Sequence, residues 1–181
     1  QIAAFTGAHD ALLPHTELMP EEGDIVVDHE VIYRAGIHDA ITSVLVSSKP
    51  RQKNALGVFT GVNDAGHIPS ALAEFVNKPS IDDPIFANVK REAKLVDQFA
   101  NIRDSYEFVA VNALGEGLIN VCGENGDFEA GDLIVTSSMR GKGMKQDDDI
   151  VRSITVAKIR EAVTFSSPTE VKKVACIYLC G

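Results

Sequence analysis

Short apolar runs, broken by turn residues, dominate the chain. "GDIVVDHEVIY" (23–33) follows a glycine with β-branched residues and predicts a strand or hairpin. "ITSVLVSS" (41–48) alternates and stops before Pro50. "NALGVFTGV" (54–62) holds Gly57 and Gly61 and predicts a buried strand between turns. The same grammar returns after residue 106 in "YEFVAVNALGEGLINVCG", "GDLIVTSS", "SITVAKIREAVTF" and "VKKVACIYLC". In the last of these, apolar Ala175, Ile177 and Leu179 fall on one side of a strand, with Cys176, Tyr178 and Cys180 on the other. Many short strands with close turns predict a mainly β, compact barrel- or sandwich-like domain spanning 1–181.

Residues 63–104 depart from that pattern. Phe86, Val89, Ala93, Val96 and Ala100 recur at helical spacing, with Pro84 at a helix start and Asp82 and Asp83 as caps. The segment reads as an insertion carrying a helix near 84–101. There is also an internal echo. "PEEGDIVVDHE" (20–30) and "FEAGDLIVTSS" (128–138) share an acidic residue, Gly-Asp and three apolar residues. In each, a turn that tolerates positive φ leads straight into a strand, which suggests a duplicated β scaffold.

The stretch "EAGDLIVTSSMRGKGMKQDDD" (129–149) invites three readings: phosphate loop, metal site or hairpin. A phosphate loop needs Ser or Thr after its lysine and a helix to follow; neither is present. Adjacent aspartates in an extended chain point to opposite faces, so Asp147, Asp148 and Asp149 do not form a calcium-loop pattern. The hairpin reading remains: strand 132–137, a Gly-rich tip at 139–144, then an acidic turn into strand 153–160.

A net charge of −9 excludes the basic footprint of a nucleic-acid binder and disfavours anionic lipid, and no apolar run reaches membrane-span length. Three cysteines make no disulfide framework, and Cys176 and Cys180 lack the further ligands of a structural zinc, so no metal or cofactor is expected. His9, His15, His29, His38 and His67 are scattered, and no nucleophile-elbow or zinc-protease motif occurs.

"FTGAHDALLP…EEGDIVVD", "ALGVFTGV" and above all "NALGEGLINVCGENGDFEAGDLIVTSSMRGKGMKQDDDIVRSITVAKI" resemble the C-terminal intramolecular chaperone domains of phage and viral tail fibres, tailspikes and neck appendages. The resemblance covers about the first third and the last 75 or so residues. It implies a folding and trimerisation or display module at the end of a viral fibre. Its partners would be two further copies, its own upstream fibre segment and a host surface receptor. It would sit in the virion tail or appendage after assembly in the host cytoplasm, and the start at Gln1 fits a domain continuing from such a fibre.

Self-cleaving members of that family are cut beside a Gly-Ala-Asp-aromatic-Ala-Glu motif. Here the comparable place reads Gly7-Ala8-His9-Asp10-Ala11-Leu12-Leu13. Asp10 falls at the aspartate, Leu13 stands where glutamate is expected, and Glu17 is the next carboxylate. Asp10, His9 and Glu17 are therefore the catalytic candidates under that alternative. The serine-type Ser-Asp-x-Arg-x-Lys motif is absent. Gly131, Asp132, Gly141, Gly143 and Lys145 match the family pattern best and read as structural. A third reading, a receptor-binding tip, would place the contact in 63–104.

Overall fold

The computed structural model describes residues 7–34, 37, 39–64, 66–69, 71–72 and 101–180. It shows nine strands: β1 (Gly7–Pro14), β2 (Ile25–Arg34), β3 (Ala40–Val46), β4 (Ala55–Val62), β5 (Tyr106–Cys122), β6 (Leu133–Thr136), β7 (Gly143–Lys145), β8 (Ala157–Ile159) and β9 (Val171–Leu179). The mainly β expectation is met, and part of the sheet closes into a five-stranded barrel. The predicted helix near 84–101 lies outside the described residues except for Asn101, and residues 101–105 are helical and lead into β5.

The pairings explain the internal echo. Going round the barrel, β1 pairs β3, β3 pairs β2, β2 pairs β4, β4 pairs β5 and β5 returns to β1. A second circuit runs β5–β7–β6–β8–β9 and back to β5. The two circuits match strand for strand. Each contains one parallel contact, Leu12 with Ser43 in the first and Val121 with Gly143 in the second, and all other pairings are antiparallel. β5, 17 residues long, is the last strand of the first unit and the first strand of the second.

The Gly-Asp turns also repeat in atomic detail. Gly23 and Gly131 sit at φ 97° and 99°, a conformation that strains any residue with a Cβ. Asp24 Oδ2 accepts the Glu21 N–H at 3.0 Å, and Asp132 Oδ2 accepts the Glu129 N–H at 2.8 Å. Each aspartate thus closes its own turn and leaves the next three apolar residues to enter a buried strand.

Each unit has its own apolar core. Val26, Val44, Phe59, Val109 and Val111 fill the first; Ile119, Ile134, Val156, Ile159 and Val174 fill the second. Another cluster, with Leu12, Ile41, Leu72, Ile102 and Phe108, lies under the ends of the 63–104 excursion.

Two local expectations need correction, and the two faces of β9 divide as the alternation predicts. The strand placed at 153–160 is only Ala157–Ile159, because the Arg152 N–H bonds to Thr155 Oγ1 and turns the chain first. The hairpin partner of β6 across the glycine-rich tip is β7, and β8 pairs on its other edge. In β9 the buried face is Val174, Cys176 and Tyr178, while Ile177 faces outward. Cys122, Cys176 and Cys180 are all free thiols.

Candidate functional site

The 131–149 stretch packs into the seam between the two units. The Ile25 N–H donates to Gly141 O at 2.8 Å, and the Gly141 N–H donates to Ser47 O at 2.9 Å. This docking leaves no room for a side chain at Gly141. A Cβ there would lie 2.6 Å from Asp24 Cγ, and φ is 75°. Lys142 then points back into the first unit. Its Nζ reaches Asp24 Oδ1 at 2.5 Å and Glu21 Oε2 at 3.2 Å. Asp24 Oδ1 also accepts from Asn120 Nδ2 at 2.8 Å, and that amide donates to Glu22 O at 3.0 Å. Asp24, Asn120 and Lys142 are buried. A buried carboxylate is tolerable only when paired and hydrogen-bonded, and here it is both.

The rest of the stretch is equally committed. Lys145 Nζ lies 3.5 Å from Asp132 Oδ2. Thr155 Oγ1 donates to Gln146 Oε1 at 2.6 Å. Asp147 takes Arg51 at 2.5 Å and Asn125 at 2.8 Å, which hold its carboxyl below the usual carboxylate range. Asp148 is lowered to about 2 by hydrogen bonds from Arg152 and Gln146. Among the described residues no group of three His, Cys, Asp or Glu side chains is placed to hold a metal ion.

The catalytic candidates fall in two separate places. Asp10 Oδ1 accepts from Asn63 Nδ2 at 3.0 Å and meets His67 Nε2 at 2.9 Å. The His67 carbonyl in turn accepts from Arg103 Nη2 at 3.2 Å. His9, next to Asp10 on β1, is exposed; successive side chains on a strand face opposite ways, so proximity in sequence does not bring them together. Asp10 instead meets His67, 57 residues away, beside Asn63. No motif connects the two, and only the fold could reveal the pair.

Glu17 lies beyond the far end of β1, in a turn where its N–H bonds to Pro14 O at 2.9 Å. Its carboxylate takes Arg140 Nη2 at 2.9 Å, and Arg140 also donates to Leu18 O. Asp10 and Pro14 alone are about 13 Å apart at the rise of an extended strand. Asp10 and Glu17 therefore do not share a site.

A cleft of about 230 Å³ opens between the units, lined by Glu22, Phe59, Thr60, Asn112, Leu118 and Lys173, with Tyr178 at its wall. Tyr178 Oη donates to Leu118 O at 2.6 Å, and burial pushes its phenol up to about 12. A Cβ on Gly117 would stand 2.1 Å from that oxygen, so glycine is what admits the ring. Tyr178 is a packed wall and offers no phenolate at neutral pH.

Compared with protein-family models and with curated proteins, the chain matches none.

Proposed function

We propose that this chain is an assembly or display domain of a viral fibre or appendage, a rigid module that associates with copies of itself and carries no reaction. The observation that supports this reading is the use made of 131–149. Lys142, the residue a phosphate-loop reading would need free, is tied to Asp24 and Glu21, and Arg140 to Glu17. The stretch that resembles the fibre domains most closely spends its polar groups on joining two β units into one body. A fibre of intertwined strands has slow, non-local pairing, and a terminal module that folds alone and gathers the chains raises their effective concentration.

Native mass spectrometry, followed by denaturing mass spectrometry of the same sample, tests the reading. An assembly of intact 19.5 kDa chains at three times the single-chain mass supports it; a permanently monomeric chain refutes it.

A second reading is favoured by the Asp10–His67 contact: a carboxylate and an imidazole at 2.9 Å are a plausible acid–base pair for a single cut of the chain itself. Fragments that appear on incubation and are abolished by Asp10→Ala would establish it, and a chain that keeps its intact mass would dismiss it.

A further inference from the structure

Asn125 and Gly126 form the one Asn-Gly pair in the sequence. They lie in the turn that follows β5, where Gly126 is exposed at φ 92° and its N–H donates to Gly123 O at 3.1 Å. Asparagine before glycine is the arrangement most prone to lose its amide, because no Cβ on the next residue shields the backbone nitrogen. That nitrogen attacks Asn125 Cγ, gives up its proton and expels Nδ2 as ammonia, leaving a five-membered succinimide. Water then opens the ring at either carbonyl. One opening leaves aspartate; the other leaves isoaspartate, with the backbone rerouted through the side chain. The only co-reactant is water, which reaches this exposed turn.

The fold holds both reacting groups off this path. Asn125 Nδ2 donates to Lys145 O and to Asp147 Oδ1, each at 2.8 Å, so the amide is turned towards the far end of the 129–149 stretch. Its Cγ cannot swing onto the Gly126 nitrogen until both bonds break, and that nitrogen must also leave Gly123 O. The same contacts make the product costly. An ionised aspartate at 125 has no hydrogen to donate, and it would face two acceptors, Lys145 O and Asp147 Oδ1. The Asn125 hydrogen bond is the largest of the influences that hold the Asp147 carboxyl below its usual range, and a second carboxylate there would remove it and add a like charge. Asp147 also takes Arg51 from the loop between β3 and β4, and the Arg51 N–H reaches Thr136 O on β6 at 3.0 Å. The corner that Asn125 closes is therefore one of the places where the first unit is tied to the second.

We propose that Asn125 is a site of spontaneous deamidation which the native fold keeps closed, and that the change, once made, unfastens the Asp147 corner. The lost amide does not return by itself, so the site marks chains that have been open there. The inference stands apart from self-association and from the Asp10–His67 contact.

Peptide mapping by mass spectrometry tests this, with the full chain incubated in mildly alkaline buffer and in the same buffer with enough guanidinium chloride to unfold it. In the unfolded chain, position 125 is expected to convert to aspartate and isoaspartate before any other asparagine. In the folded chain the conversion is expected to be at least about tenfold slower, the factor that breaking two or three hydrogen bonds of ordinary net strength adds to a barrier. Asp147→Ala removes one of the two amide acceptors and should speed the reaction several-fold in the folded chain. That side chain is 63 % exposed, so the fold is expected to survive, and circular dichroism checks it. An Asn125→Asp variant should melt below the parent and, by NMR, raise the titration midpoint of Asp147. Equal rates in the folded and unfolded chain, no conversion in the unfolded chain, or an Asp147→Ala chain that converts no faster than the parent overturns the protected site. An Asn125→Asp variant that melts with the parent and leaves Asp147 titrating as before overturns the unfastening.

Discussion

Replacing Lys142 with methionine removes the cation that crosses the seam while keeping most of the buried stem. Asp24, whose side chain is 3 % exposed, would then be a buried carboxylate without its counter-charge. Removing one partner of such a pair costs about 3–5 kcal/mol. Asp24 keeps the hydrogen bonds from Asn120 and from the Glu21 N–H, which places the loss at the lower end, about 3 kcal/mol. For a chain of this size each kcal/mol lowers Tm by about 2–4 °C, so the variant should melt roughly 6–12 °C lower. The double variant Lys142→Met with Asp24→Asn should recover part of this, because no charge is stranded, while the amide's single oxygen keeps only one of the two hydrogen bonds that Asp24 accepts on separate oxygens. Calorimetry of the parent, both single variants and the double variant measures the coupling. A single variant melting within about 2 °C of the parent, or strict additivity, would refute the argument that the seam is held by a buried charge pair.

Three further outcomes follow from the same geometry. Gly141→Ala should lower stability by about 2 kcal/mol or more in denaturant unfolding, since φ is 75° and the new methyl meets Asp24. Asp148 should titrate near 2 by NMR; its depressed value contributes stability that is full above about pH 4 and is lost as pH falls towards 2, and Arg152→Gln should move the midpoint back up. Burial pushes the Cys176 thiol up to about 12 and the Cys180 thiol up to about 11, so both should resist alkylation at pH 8 and react promptly once the chain is unfolded.

Much of the β scaffold was legible in the sequence, and the reasons are local. β2, β3, β4, β6 and β9 lie within two residues of the runs read from alternation and bounding turns. β1 was harder to see, because "GAHDALLP" mixes exposed and buried residues without clean alternation. The Gly-Asp echo pointed to duplication, and two matched circuits are what the pairings show. The sharing of β5 by both units could not be read, because strand partners are set by long-range packing that a period-two pattern does not encode. Which row of β9 faces outward could not be read for a related reason. Alternation separates two faces but does not say which is covered, and in β9 the core side holds Cys176 and Tyr178. The sites divide in the same way. Asp132 closing a turn is local chemistry. The pairing of Lys142 with Asp24, 118 residues apart, and of Asp10 with His67 exists only once the chain is folded.

The central claim is that this chain gathers copies of itself, and sedimentation equilibrium of the full chain across a wide concentration range tests it most directly. The account predicts a single closed species at three times 19.5 kDa that falls to monomer on dilution. A fixed 19.5 kDa mass at every concentration and ionic strength would contradict it.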